Sequence, residues 1–338
     1  MESGQESLRA FGLEAAWRLG KWDLVEDMLQ LECKEGIEAG VAAALALQAG
    51  QKLPVVSAMC GSADLGALID AFRSHIRGPL AAASAESYSR AHLHVLDCQM
   101  LQEISEWDQA CKADSSEQIQ EILRLWRHRL TISQESLRAR EPILSLRRRL
   151  LLCAGQIEEA EFYRLQYIKL ARATGDSIAI SVAMEESNKH PEIVVQQAKI
   201  MWERDRRSEA MLMLESCLQH GAIESMSEEQ VIKARLLCAN WNQILKRKVS
   251  IDTIKEYKFL SRSGIGGHPR TGWEKAHYCF AKFLDQLMEG QIRQLEHEVA
   301  GSGNNTKPQD HDPVKIRTQA LRELLPHVVR QYMLSMGA

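Results

Sequence analysis

The chain is poor in the features that mark catalysis, membranes or disulfide scaffolds. Only 8 prolines and 20 glycines are spread over 338 residues, so few positions break a helix. Period-two alternation of apolar and polar residues is missing, which argues against strands. No apolar run approaches the roughly 20 residues needed to span a bilayer. The opening Met1 to Ser7 is polar and acidic, unlike a secretory signal. The formal net charge is only -3, so no global field draws the chain to nucleic acid or to an anionic membrane. The 8 cysteines are widely separated and contain no C-x-x-C. Reduced thiols on apolar helix positions are expected, rather than a zinc site or a disulfide framework.

Helical hairpins are what is present. Ala, Leu, Glu, Gln and Arg dominate, all good helix formers. Between Gln196 and Leu218, residues Ala198, Met201 and Trp202 line one face, and Asp205-Arg206-Arg207 make a turn. Met211, Leu214 and Leu218 then line the returning helix at i, i+3, i+7. A similar hairpin opens the chain, with Leu13, Ala16 and Trp17, a Gly20-Lys21 turn, and Trp22, Val25 and Leu29. Neither can bury its stripe alone, so each needs stacked neighbours, which should cover Trp17 and Trp202.

Further helices are expected over Ala39–Ala49, over Leu65–Ile76 with an end at Gly78-Pro79, and over Glu86–Trp107. Ser115 with Gln118 offers a capping box, and Pro191 suits the first helical position with Asn188 as a cap. First helices starting near Glu158, Pro191 and Ser227 are spaced by roughly 35 residues, close to the tetratricopeptide period. A final strong helix holds Trp273, Ala276, His277 and Phe280. The expected fold is all-α, an α-solenoid of tetratricopeptide-like hairpins over residues 11–298. A disordered stretch at 1–10, Gly-rich or polar loops at 261–272 and 299–313, and a terminal helix over 314–338 complete it.

Candidate chemistry is thin. Gly264-Ile265-Gly266-Gly267 follows no strand and completes no phosphate-loop pattern, so it reads as a flexible connection. His92 and His94 lie two apart, pointing roughly opposite ways on a helix, whereas helical zinc pairs sit at i, i+4. Acidic pairs such as Glu158-Glu159 and Glu228-Glu229 suit helix starts and need no catalytic role. No cofactor or metal is expected. The stretch from Arg124 to Arg149 is basic, with Arg138, Arg140, Arg147, Arg148 and Arg149 opposed within it only by Glu135 and Glu141. Its aromatic content is Trp126, on an apolar stripe with Leu123 and Leu130. A partner-docking ridge or solvated face is favoured over a nucleic-acid groove. With Pro142 starting a helix, Ile143, Leu146 and Leu150 would face inward, and Arg147 and Arg148 outward or sideways.

The segment Arg138 to Arg148, R-A-R-E-P-I-L-S-L-R-R, resembles the R-x-[KR]-E-P-I-L-x-L-R-R segment of the FAT region in ATR-type checkpoint kinases. These are phosphatidylinositol-kinase-related protein kinases. Glu14 to Leu19 with Trp22 to Glu26 resembles that family's opening, and Arg90 to Leu101 the helix ahead of E-P-I-L. Gln197-Ala198-Lys199 with Trp202 and Trp273-Glu274 with Ala281-Lys282 resemble later helices, in the same order.

The resemblance implies a non-catalytic scaffold segment of a large nuclear serine/threonine kinase that signals DNA damage and replication stress. Trp17, Trp22, Pro142, Ile143, Leu146, Trp202 and Trp273 would be its structural core. Its implied partners are proteins: the kinase domain and HEAT repeats of the same polypeptide, a regulatory subunit, and a second copy. Direct nucleic-acid contact and membrane contact are not expected. The H-R-D, D-R-H and D-F-G motifs of kinases are absent from this stretch. The chain opens on Met1 without HEAT repeats and closes near Met336, where further helices should follow, so a piece of the larger polypeptide is expected. The alternative is a free-standing tetratricopeptide-like adaptor binding peptides or protein helices in a concave groove.

Overall fold

A computed structural model describes residues 2–30, 37–48, 50, 65–113, 115–185, 190–219, 226–245, 250–262, 273–301 and 313–336. All the regular structure among them is helical. The chain divides into two compact units, Met1–Ser187 and Asn188–Ala338.

The first unit holds α1 (Glu2–Leu19), α2 (Trp22–Gln30), α3 (Ile37–Gln48), α4 (Leu65–Glu86), α5 (Tyr88–Ala113), α6 (Ser116–Ile132), α7 (Leu137–Cys153), α8 (Ile157–Thr174) and α9 (Ser177–Glu185). Sequential pairs pack as hairpins: α1 with α2, α4 with α5, and α7 with α8. Their inner faces share one core with α6, including Leu13, Trp17, Val25, Leu29, Leu101, Ile104, Trp107, Trp126 of α6, Leu146 and Tyr163.

The second unit holds α10 (Pro191–Glu203), α11 (Arg207–Gln219), α12 (Glu228–Ile244), α13 (Ser250–Arg262), α14 (Trp273–Gly301) and α15 (Pro313–Ser335). One core joins α10, α11 and α12 through Val195, Ala198, Met211, Leu214 and Trp241. A second joins α12 to α15 through Leu236, Tyr257, Phe280, Phe283 and Val328. In both units most helices pack on their neighbours in sequence, the packing of an α-solenoid built from hairpins, while α3 also packs on α1 and α5.

One turn recurs because its chemistry repeats. Gly20 and Gly155 adopt positive φ, 70° and 71°, and Asp205 takes the same place at 63°. In all three, that residue donates its N–H three residues back: Gly20 to Trp17, Gly155 to Leu152, Asp205 to Trp202. The next N–H reaches five back: Lys21 to Ala16, Gln156 to Leu151, Arg206 to Met201. This pair of bonds satisfies the last carbonyls and reverses the chain. Glycine adopts the left-handed conformation without a Cβ penalty, and Asp is among the few side chains that tolerate it.

Several expected boundaries move. Residues Glu2 to Ala10, expected to be disordered, belong to α1. Helix α4 does not end at Gly78-Pro79 but runs on to Glu86 with Pro79 inside it. Ser115 caps α6 without a side-chain bond, while a capping box forms at Ser227, whose hydroxyl accepts from the Gln230 N–H as Gln230 accepts from the Ser227 N–H. Pro191 takes the first turn of α10, but its N-cap is His190, and Asn188 lies outside the described residues. Ser261 and Arg262 end α13, Gly301 ends α14 and Pro313 starts α15, which shortens both expected loops. The remainder of those loops, with Gly264 to Gly267, lies outside the described residues, as do Cys33 and Cys60.

Candidate functional site

Within the basic segment, Arg147 turns inward, whereas Arg138 is exposed. Helix α7 begins at Leu137, capped by the Ser136 hydroxyl, which accepts from the Ala139 N–H. Pro142 therefore lies inside the helix and not at its start, removing the N–H that would bond the Arg138 carbonyl. The register buries Ile143, Leu144, Leu146, Arg147, Leu150 and Leu151. Arg147 is fully enclosed, contrary to the expected outward direction, because it shares the Ile143–Leu150 stripe at i+4.

Its partner is Glu103 of α5, also fully enclosed. Arg147 Nε donates to Glu103 Oε2 at 2.8 Å and Nη2 to Oε1 at 2.6 Å, a bidentate pair. Nη1 donates to the Trp126 carbonyl of α6 at 2.8 Å, so one guanidinium joins three helices. The same cation lies 5.4 Å from the Trp126 ring centre and 5.5 Å from that of Tyr163, within cation–π range. Trp126 also stacks on Trp107 at 5.4 Å. Burial pushes the Tyr163 hydroxyl up to about 12, so it stays neutral beside the pair.

One turn along α5, Glu106 accepts two bonds from Arg129 of α6, both at 2.8 Å. Burial works against the Glu106 charge, but hydrogen bonds from Arg129 and Gln102 and the nearby guanidiniums hold its carboxyl below the ordinary range. The seam thus sets two carboxylates of α5 against one arginine each from α6 and α7.

The other arginines act as staples. Arg140 donates to the Leu130 carbonyl at 2.9 Å and the Ser133 carbonyl at 2.6 Å, fixing the α6–α7 connection. The Arg149 guanidinium donates to the Arg18 carbonyl at the end of α1. A Cβ on Gly20 would lie 2.4 Å from Arg149 Nη1, so this glycine also clears space for the staple. Arg18 donates to Glu141 at 2.9 Å, a second tie between α1 and α7. Arg148 is half-buried and Arg138 is exposed.

Of the residues assigned to the core, Trp17, Ile143 and Leu146 are buried, and Trp22 and Pro142 are half-buried. Trp202 is half-buried rather than covered, stacked on Trp241 with ring centres 4.3 Å apart. Trp273 starts α14, and its side chain lies outside the described residues. Cys217 and Cys238 are buried, whereas Cys153 is exposed. Among the described residues no cluster of His, Cys, Asp or Glu could hold a metal, and no helix is long and apolar enough to cross a membrane.

Arg140, Arg147 and Arg149 thus bind helices of this chain together, while Arg124, Arg127 and Arg138 are exposed. The FAT domain family pattern matches residues 9–338, nearly the whole sequence. The chain belongs to the FAT domain family. The serine/threonine-protein kinase ATR of Arabidopsis thaliana is similar, 25% identical over 339 residues that cover 88% of this chain and 12% of that protein. Kinases of the same name from Oryza sativa subsp. indica and subsp. japonica are each 24% identical over 372 residues, covering 95% of this chain and 13% of theirs. The FAT chain therefore spans about an eighth of the length of these relatives.

Proposed function

We propose that this FAT chain is a non-catalytic scaffold segment of an ATR-type serine/threonine kinase that acts in DNA-damage and replication-stress checkpoint signalling. The observation that carries the reading is the match of one kinase-associated family over residues 9–338, together with ATR kinases that align along most of the chain. In this role the segment supports and regulates a kinase domain elsewhere in the polypeptide and works in the nucleus. Its partners are that kinase domain, HEAT repeats of the same polypeptide, a regulatory subunit and a second copy. Exposed Arg138 on α7, with half-buried Arg148, would meet such partners. The buried network through Arg147 suits a part that must transmit position without deforming, since close-packed interiors pass strain rather than absorb it.

The test is to isolate the endogenous polypeptide with an antibody raised to this chain. A product several times larger than 38.2 kDa is expected, with serine/threonine kinase activity that rises under replication stress. A product of this chain's own size without associated kinase activity would overturn the assignment.

A further inference from the structure

Helices α4 and α5 and the α6–α7 connection enclose an open cavity of about 830 Å³ in the first unit. That volume falls in the range of ligand-binding clefts. Its described lining residues include Arg73, Arg77, Arg129, Arg140 and the enclosed Arg147, and no carboxylate. The rest of the wall is largely apolar, including Val95, Ile132 and Tyr88, which are exposed to 47%, 72% and 79%.

The cations differ in what they can still do. Arg147, Arg129 and Arg140 are committed to Glu103, Glu106 and the Leu130 and Ser133 carbonyls. Arg73 holds Gln102 at 2.6 Å and an exposed Asp70 at 3.3 Å, the latter a loose contact. Arg77, one turn further along α4, is exposed and makes no hydrogen bond or ion pair among the described residues. His92 also lines the cavity, and its Nε2 is buried without a hydrogen-bond partner among them.

We infer that this cavity docks a protein segment bearing a carboxylate flanked by apolar side chains. The carboxylate would meet Arg77 and Arg73, and the apolar groups would cover Val95, Ile132 and Tyr88. Charge complementarity carries the choice, because a cation-lined wall without acid groups favours an anionic occupant. The scarcity of uncommitted cations decides its class. A polyphosphate or a nucleic-acid backbone needs several available positive charges, whereas one carboxylate needs one forked guanidinium. The apolar wall would stay bare under a polyphosphate. The inference rests on the scaffold reading only in taking the ligand to be protein, and it does not require that a kinase domain be present.

The experiment pans a phage-displayed library of random dodecapeptides against the purified 338-residue chain. Enriched sequences are then synthesised, and their affinity is measured by fluorescence anisotropy. Enriched peptides should carry Asp or Glu beside Leu, Ile, Phe or Met. Arg77→Glu should weaken them by about tenfold or more, the scale of a lost charge-assisted hydrogen bond. Ile132→Ser, which leaves every charge in place, should weaken them as well. Both positions are exposed, so an unchanged melting temperature is expected and separates binding from folding. No enrichment, enriched peptides without acidic residues, or affinity indifferent to Arg77→Glu would each overturn the inference. Binding of tripolyphosphate or single-stranded oligothymidylate that displaces the peptides and is lost in Arg77→Glu would reassign the cavity to phosphate ligands and overturn it equally. Because the readout is peptide affinity, its failure leaves the kinase-scaffold proposal standing, and a missing kinase domain leaves this one standing.

Discussion

Arg147 and Glu103, separated by 44 residues, face each other in the interior of the first unit as a two-bonded ion pair with neither side chain open to solvent. Removing one partner leaves the other charged and buried. Glu103→Ala should destabilise the unit by about 3–5 kcal/mol. Replacing both, as Glu103→Leu with Arg147→Met, removes the desolvation cost along with the attraction and should be neutral or stabilising by about 1–4 kcal/mol. Urea midpoints of the single and double variants check this. A double variant no better than the single would show that the bond to the Trp126 carbonyl, and not the ion pair, holds the seam.

The Gly20 turn separates two costs that usually come together. Gly20 and Gly155 share nearly the same φ, so alanine at either position meets the backbone penalty of about 1–2 kcal/mol for a left-handed residue. Beyond that, a Cβ on Gly20 strikes the Arg149 guanidinium, while one on Gly155 meets nothing within 4 Å. Gly20→Ala should therefore be the more damaging in thermal melts, and Arg149→Ala in the same chain should relieve part of the difference. Equal losses for the two glycines would mean that Arg149 moves aside freely.

Much of this was legible in the residues. Helical spacing and small-residue turns gave the hairpins, and the Gly20, Gly155 and Asp205 turns fall where the chain reverses. The direction of the arginines was not legible from local charge, since the carboxylates that oppose Arg147, Arg129 and Arg127, namely Glu103, Glu106 and Glu159, lie on other helices. Pairing across 23 to 44 residues is a tertiary fact. A signal was nevertheless present. Arg147 occupies the stripe of Ile143 and Leu150, and Glu103 that of Met100, Ile104 and Trp107. A charge on each of two apolar stripes, opposite in sign, marks a buried pair, because neither charge is tolerated there alone. Pro142 misled by its ordinary preference for a first turn: the hydroxyl of Ser136 started the helix earlier.

Acid should loosen the seam through Glu106. Its folded carboxyl lies below the ordinary value of 4.5, since the arginine contacts outweigh burial. A depressed carboxylate contributes stability that is present above the unfolded value and is lost as pH falls through the folded one. Wild-type stability should thus decline below about pH 4.5, and Glu106→Gln should show a shallower decline over that window. Denaturant midpoints measured from neutral pH into this range give the comparison. Parallel curves for the two proteins would remove Glu106 from the account of acid sensitivity.

Trp17 and Trp202 occupy comparable places on their hairpins but differ in cover, and that difference sets what each is worth. Trp17 is 2% exposed within the core that α1 shares with its neighbours, so Trp17→Ala opens a cavity in close-packed surroundings and should cost about 3–5 kcal/mol. Trp202 is only half-buried. It packs against the core of α10, α11 and α12, stacks in parallel on Trp241 and has the Arg207 guanidinium 5.6 Å from its ring centre. Stacking adds about 0.5–1.5 kcal/mol beyond area, and water can refill part of the vacated space. Trp202→Ala should accordingly stay within about 0.5–3 kcal/mol, the ordinary range for point substitutions. Trp241→Ala removes the more buried ring of the same pair and should cost more than Trp202→Ala. Urea denaturation followed by far-ultraviolet circular dichroism ranks the three variants. A Trp202→Ala loss equal to that of Trp17→Ala would mean that Trp202 is covered in solution as fully as Trp17.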